Sequence, residues 1–308
     1  MPRSVRFLPN PGATVEITQR TSQGRFLLKP SPRLNKLVVG CLARAQKNTG
    51  AQLHAVAVLS GHFHLLASFE TVKQMSRFMG QFTTNLSKEI GRLYNWSGPK
   101  FAGRYHSVPL SEEPEIHEER LRYILSQGAK EGLVLSPRDW PGVQCARALA
   151  DGEPIKGQWV DRTGLFAARQ KDPATPETAF TAEEELRLTP LKHLRALDTE
   201  SRRGRIAQIV AEIEEATLER HRREGTVPLG AEAVCRRSPF ERPGRLARSP
   251  KPYFHATRVA FRELMDGFRE FVAAYRLAAE RLAGGDRRVQ FPENCFPPGL
   301  PFVEPLRA

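Results

Sequence analysis

The sequence predicts an α+β protein: a split βαβ, ferredoxin-like antiparallel sheet with flanking helices, followed by a mostly α-helical C-terminal region. Three observations lead to this prediction. Segments of alternating polarity and of helical period succeed one another in the order β-α-β-β-α-β-α up to residue 128. Two of the strands are joined by only two residues, Ser60 and Gly61, as in a β-hairpin. Beyond residue 142 the apolar residues recur mainly with the helical period.

The N-terminal elements are predicted from these two periods. Strands alternate apolar and polar residues, because successive side chains point to opposite faces of the sheet. On this pattern, the predicted strands span residues 15–20, 52–59, 62–69 and 104–110. Helices repeat apolar residues at intervals of three and four, which places them on one face. On that pattern, the predicted helices span residues 32–47, 72–94 and 114–128.

The C-terminal half contains weaker helix signals. Thr181 and Glu184 have the spacing of a capping box, which is typical of the start of a helix. A further helix has its apolar face along residues 206–218 and is expected to end at Gly225. Aromatic and aliphatic residues at helical spacing predict a last long helix over about 255–283.

Chain length and linker composition predict the domain organisation. A chain of 308 residues is long enough for two domains. We expect residues 1–150 to form the domain that contains the sheet, and residues 151–308 to form a helical accessory domain. A basic Pro- and Arg-rich linker is expected around residues 236–253 within the second domain.

Composition narrows the class of protein. A hydrophobic content of 40% with 26% charged residues is typical of globular proteins. No apolar run approaches the roughly 20 residues of a membrane helix, and the N-terminus lacks a secretory signal pattern. We therefore expect a cytoplasmic protein with no membrane partner. The four cysteines are too widely spaced for a metal knuckle and too few for a disulfide framework, so we expect free thiols.

The positive charge is concentrated at the N-terminal end. The whole chain has a net charge of +13, and residues 1–110 contain 15 Lys and Arg against three acids, a net charge of +12. Such an excess favours a partner with a phosphate backbone, because basic side chains that neutralise phosphates release counterions. A solvated basic surface is the alternative interpretation.

The first candidate site is the pair His62 and His64. Alternate residues of a strand face the same way, so the two imidazoles project together about 6.6 Å apart along the chain. That spacing allows them to share one metal ion. Residues 63, 65, 67 and 69 are all apolar, which predicts that the opposite face is buried and the histidine face more accessible. A pair of exposed surface histidines is the alternative.

The second candidate site is on the helix predicted for residues 114–128. On a helical wheel Tyr123 points away from the main apolar stripe, which a core tyrosine would join. The stripe comprises His117, Leu121, Ile124 and Leu125. Gln127 lies one turn beyond Tyr123 on the same face. Its carboxamide oxygen is suited to be a third ligand to a hard cation.

Together these residues resemble the single-tyrosine HUH transposases. The similarity rests on GHFH at 61–64, on YILSQ at 123–127, and on flanking segments that resemble the REP-associated branch, and it covers roughly residues 12–145. Two departures stand out. Ser60 and Gly61 replace the usual Pro-Asn before the first histidine, and Gln127 and Gly128 replace an Asn-Pro common in the REP-associated branch. The glutamine agrees with the insertion-sequence branch, in which it is the extra ligand.

The resemblance implies a DNA transposase that cleaves and rejoins single-stranded, hairpin-containing DNA. Tyr123 would be the nucleophile and would form a 5′-phosphotyrosine intermediate. His62, His64 and Gln127 would hold Mg²⁺ or Mn²⁺. A member of this family is expected in the bacterial cytoplasm, associated with the nucleoid when bound to DNA. The helical accessory domain would then either assist DNA binding or mediate self-association as a homodimer.

Basic side chains that flank the predicted strands are candidates for contacts with the DNA backbone. These candidates are Arg20, Arg25, Lys29, Arg104 and His106. Each of them could equally be a solvated surface charge.

Two other functions compete with this interpretation. A catalytically silent descendant would bind DNA hairpins only, as a regulator, although Tyr123, both histidines and Gln127 are all present. A metal-dependent hydrolase could use the His-x-His pair. The sequence shows no further cluster of His, Asp or Glu at ligand spacing that would complete a three-ligand zinc site.

Overall fold

The centre of the molecule is an antiparallel sheet. A computed structural model of the chain describes residues 6–244 and 252–299. The strands of this sheet are β1 (Ala13–Arg20), β2 (Gln52–Leu59), β3 (His62–Phe69) and β4 (His106–Pro109). Their order is β2-β3-β1-β4, and every neighbouring pair is antiparallel. The predicted α+β class, with an antiparallel sheet and flanking helices, is confirmed.

Two helices contribute to the core on the apolar side of the sheet. They are α1 (Pro32–Thr49) and α2 (Val72–Tyr94), and each begins at a side-chain cap. Ser31 accepts a hydrogen bond from the backbone N–H of Leu34, which satisfies one of the free donors at a helix start. Phe63 of β3 packs against Phe82 of α2, with ring centroids 5.2 Å apart. The face of β3 that contains Phe63 is therefore buried, as the alternation predicts.

The other face of the sheet is covered as well. Helix α3 (Pro114–Leu125) contacts both β2 and β3. As a result His64 is only 6% exposed and His62 is half-buried. The histidine face is still more accessible than the face with Phe63 and Leu65, which are 0% exposed, but α3 covers much of it. The four stripe residues of α3 are all buried, which confirms that part of the wheel analysis.

The C-terminal region contains a β-hairpin in addition to helices. Its strands are β5 (Ile155–Val160) and β6 (Thr181–Leu186), paired antiparallel. The capping box predicted at Thr181 is wrong: Thr181 and Glu184 lie in β6, opposite Val160 and Gly157. Pairing with β5 overrides the local helix signal.

The C-terminal region has five further α-helices among the described residues. They are α4 (Ala146–Asp151), α5 (Arg162–Lys171), α6 (Thr199–Glu224), α7 (Ala231–Arg236) and α8 (Arg258–Ala283). Helix α6 ends at Gly225 in a left-handed conformation, as predicted. Of the linker predicted around 236–253, residues 245–251 lie outside the described part of the chain.

The hydrophobic core continues across residue 150. Leu186 of β6 and Ile206 of α6 belong to the same buried cluster as the sheet residues. A backbone hydrogen bond also joins the two halves of the chain. The N–H of Thr189 donates to the carbonyl of Leu53 in β2, 2.7 Å away. The C-terminal region therefore packs directly on the sheet.

Two glycines set the approach of helix α1 to strand β5. A Cβ atom on Gly40 would overlap the backbone carbonyl of Gln158, and one on Gly157 would lie 2.5 Å from the backbone nitrogen of Gly40. A side chain at either position would therefore force the two backbones apart, since neither contact involves a flexible side chain.

Replacing Gly40 with alanine should therefore destabilise the protein. We expect Gly40→Ala to lower the free energy of unfolding by about 3 kcal/mol, measured by denaturant titration. Gly80→Ala is the matched control, because a Cβ on Gly80 of α2 has nothing within 4 Å and alanine favours the helix by up to ~1 kcal/mol. A Gly40→Ala protein as stable as Gly80→Ala would contradict the close packing of α1 on β5.

Candidate active site

The imidazoles of His62 and His64 lie side by side on β3. Both project from the face of the sheet that α3 covers, and their ring centroids are 5.1 Å apart. Strand β3 is central, between β2 and β1, so the backbone of this pair is hydrogen-bonded on both sides. In register with the pair, Arg20 of β1 lies opposite His62 and Thr18 lies opposite His64. The pair is thus held on a strand that is paired on both sides.

Helix α3 brings Tyr123 against this pair. The tyrosine ring packs edge-on to His64, with ring centroids 5.5 Å apart. Two cations contact the same ring: the guanidinium carbon of Arg120 lies 4.1 Å from its centroid and the ammonium of Lys130 lies 3.6 Å from it. Such contacts are favourable because the face of an aromatic ring is negatively polarised. Tyr123 is half-buried and surrounded by positive charge.

Gln127 lies in the turn that follows α3. The helix ends at Leu125, so Gln127 is just beyond its last turn and not on it as predicted. Its side chain nevertheless returns to the tyrosine, because Nε2 donates to the carbonyl oxygen of Tyr123 at 3.0 Å. The residue is 1% exposed, and its Oε1 has no hydrogen-bond partner. A buried carboxamide oxygen without a partner is costly, and such an atom points to a ligand.

The electrostatics of the site keep His62 neutral. Burial lowers the pKa of His62 to about 3, and the neighbouring His64 and the positive charges of Arg20 and Lys130 act in the same direction. The carboxamide of Gln127 interacts with the same imidazole and opposes this shift only in part. A neutral imidazole retains a nitrogen lone pair, which is the form that binds a metal ion.

Three residues around the site escaped the sequence analysis. Glu16 of β1 accepts a hydrogen bond from Nδ1 of His64 at 3.1 Å. Arg120 and His255 contact the other oxygen of the same carboxylate at 3.1 and 3.0 Å. Glu16 alternates with apolar residues along β1, and this pattern could have predicted that it lies on the histidine face of the sheet. His255 is too far along the chain for any local pattern to have indicated it.

The candidate DNA-contact residues fall into two groups. Arg25 and Lys29 are engaged within the chain, since they donate to the backbone carbonyls of Phe240 and Cys235 at 2.6 and 2.5 Å. Arg104 is exposed at the start of the segment that leads into β4.

The other two candidates lie on the sheet itself. Arg20 and His106 both pair in register with the strands that flank them, Arg20 opposite His62 and His106 opposite Thr18. Contact of any of the five candidates with DNA stays a prediction.

Grouped metal ligands and membrane-spanning helices are both absent from the described residues. Within residues 6–244 and 252–299, no three His, Cys, Asp or Glu side chains are grouped so as to hold a metal ion. In the same part of the chain, every helix is too short or too polar to span a bilayer.

Comparison with known proteins gives similarities in structure, two of which are described below. No protein-family profile matches the chain, and no curated protein matches it in sequence. A REP-associated tyrosine transposase bound to a REP hairpin aligns with 49% of this chain and 87% of its own, at 16% identity and a TM-score of 0.39. A provisionally named transposase from Deinococcus radiodurans aligns with 41% of this chain and 98% of its own, at 14% identity and a TM-score of 0.29.

Proposed function

We propose that this protein is a DNA transposase of the single-tyrosine HUH type, which cleaves and rejoins single-stranded, hairpin-containing DNA. One observation supports the proposal above all: the ring of Tyr123 packs against His64 of the imidazole pair on β3, and the carboxamide of Gln127, in the turn after α3, interacts with His62. A nucleophile, two nitrogen ligands and an oxygen ligand thus converge from a rigid strand and the helix above it.

The residues present fit a divalent metal ion. His62 is held neutral, and Oε1 of Gln127 is buried without a hydrogen-bond partner. With His64 they would hold Mg²⁺ or Mn²⁺ through nitrogen and oxygen ligands. When bound, such an ion would polarise the scissile phosphate and stabilise the charge that develops on it.

Tyr123 supplies the covalent chemistry in this proposal. Its phenolic oxygen attacks the phosphorus, so that a bond from Oη to phosphorus forms and the bond from phosphorus to O3′ breaks. The phenolic proton leaves to solvent, and the departing 3′-oxygen gains a proton to become a hydroxyl. Arg120 and Lys130, which contact the tyrosine ring, favour the negative charge on its oxygen during this step. Because one phosphodiester replaces another, the reverse reaction rejoins the strand.

The same proposal includes the type of sheet, the roles of the two regions of the chain and the location of the protein. The strand order β2-β3-β1-β4 with antiparallel neighbours supports a split βαβ sheet of the ferredoxin-like type. We assign the chemistry to residues 1–150 and an accessory role in DNA binding or self-association to 151–308. The positive charge of residues 1–110 favours a nucleic-acid substrate, and the bacterial cytoplasm is the site of action in this proposal.

Covalent capture tests this function. The full chain is incubated with Mn²⁺ and a pool of single-stranded DNA hairpins with randomised flanks, labelled at the 5′ end in one sample and at the 3′ end in another. We expect an adduct that survives denaturation and retains the 3′ label only, because the tyrosine becomes linked to the 5′-phosphate of the downstream fragment. An adduct with the 5′ label would contradict the proposed polarity. Hairpin binding with no adduct would favour the silent regulator.

A further inference from the structure

Glu16 is the only acid on the histidine face of β1 among the described residues. Its neighbours on that face, Thr18 and Arg20, pair with His64 and His62. The Glu16 side chain is 7% exposed, so its charge is almost removed from water. A buried carboxylate without partners would be strongly destabilising, and its contacts therefore decide how it is tolerated.

The contacts of Glu16 suit a hydrogen-bond acceptor. One carboxylate oxygen lies 3.1 Å from Nε of Arg120, a nitrogen that can only donate, and 3.0 Å from Nε2 of His255. The other oxygen lies 3.1 Å from Nδ1 of His64. A carboxylate paired with a guanidinium accepts hydrogen bonds, so Nδ1 of His64 is the donor. A neutral His64 then has its lone pair on Nε2.

His255 reaches Glu16 from the far end of the chain. Its backbone joins the sheet beside β4: the N–H of His255 donates to Pro109 at 3.0 Å, and its carbonyl accepts from Ser111 at 2.9 Å. Two neighbours fix this segment further. Phe254 is buried, and the hydroxyl of Thr257 donates to Glu113 at 2.6 Å. Nε2 of His255 is thereby placed 3.0 Å from the Glu16 carboxylate.

We propose that Glu16 and His255 are positioning residues of the candidate active site, and that residues 252–257 complete this site from the C-terminal region. Glu16 fixes His64 in the Nδ1–H tautomer, which leaves Nε2 to bind the metal ion. His255, with Arg120, fixes Glu16. The role of Glu16 and His255 in metal binding rests on the proposed function. The tautomer of His64 is a property of the metal-free protein. Partners that orient a metal-binding histidine commonly change metal affinity when they are replaced.

Two measurements on the full chain test the inference without DNA. Nitrogen NMR of histidine-labelled, metal-free protein reads the tautomer of His64, and EPR titration reads the affinity for Mn²⁺. We expect the Nδ1–H tautomer in the wild type. In Glu16→Gln we expect a mixture of tautomers and an affinity for Mn²⁺ roughly tenfold or more lower. Glu112→Gln is the matched control, because Glu112 contacts Asn10 and Lys192 instead and should behave as wild type.

The variants of His255 remain informative if Glu16→Gln does not fold. We expect His255→Ala to weaken Mn²⁺ binding several-fold and His255→Gln, which can still donate to Glu16, to restore much of it. A wild-type His64 in the Nε2–H tautomer would overturn the inference, and so would wild-type affinity in both Glu16→Gln and His255→Ala. These results do not depend on Tyr123. Failure of the proposed function would instead appear as a wild-type protein that forms no covalent adduct.

Discussion

Replacing Tyr123 with phenylalanine should abolish covalent capture of DNA. The substitution removes only the phenolic oxygen and keeps the ring that packs on His64 and contacts Arg120 and Lys130. Because that oxygen is the proposed nucleophile, we expect the yield of adduct to fall roughly a thousandfold or more. Binding of the uncleaved hairpin, measured by gel shift, should change little.

A second tyrosine provides the control for this experiment. Tyr94, at the end of α2, has a buried hydroxyl without a hydrogen-bond partner, and its ring contacts Phe240 instead of the histidine pair. Tyr94→Phe should therefore form adduct as the wild type does. If Tyr123→Phe and Tyr94→Phe gave equal yields, the nucleophile would be elsewhere.

Removing either imidazole of the pair should have the next largest effect. His62→Ala and His64→Ala each remove one proposed nitrogen ligand. We expect each to reduce both Mn²⁺ binding and adduct yield by roughly a hundredfold or more. A residue that binds the metal directly should matter at least as much as the residues that orient it. EPR titration with Mn²⁺ and the capture assay measure the two effects separately.

His193→Ala is the control for the imidazole variants. This residue is half-buried and its ring lies near His117, so it is a histidine of similar burial outside the pair. It should retain both activities. Should His62→Ala bind Mn²⁺ and capture DNA as well as His193→Ala does, then the pair would not be a metal site.

Local periodicity predicted much of the N-terminal half. The bounds of β2, β3 and α2 agree with the predicted strands and helix, because each is a long segment with a single clear period. The position of His62 followed from the strand prediction, and that of Tyr123 from the helix predicted over 114–128. That Tyr123 meets the histidine pair was implied by the family resemblance and not by any pattern within one element.

Contacts between residues that are far apart in sequence account for the features that local patterns did not predict. Thr181 has a helix-start pattern, yet hydrogen bonding to β5 about 20 residues earlier makes it a strand residue. His255 contacts Glu16 across almost the whole chain, so no window of neighbouring residues contains both. For the same reason, the sequence did not predict that α3 covers the histidine face. Alternation along β3 shows which face is apolar, but it does not show which element packs on the opposite face.

Mass spectrometry of the captured complex is the most direct test of the account. After digestion of protein and DNA, the residue that retains a nucleotide can be identified from its peptide. The account predicts a single modified residue, Tyr123, bearing a 5′-phosphate-linked nucleotide. A nucleotide on any other side chain, or an adduct that forms equally well when Tyr123 is phenylalanine, would contradict it.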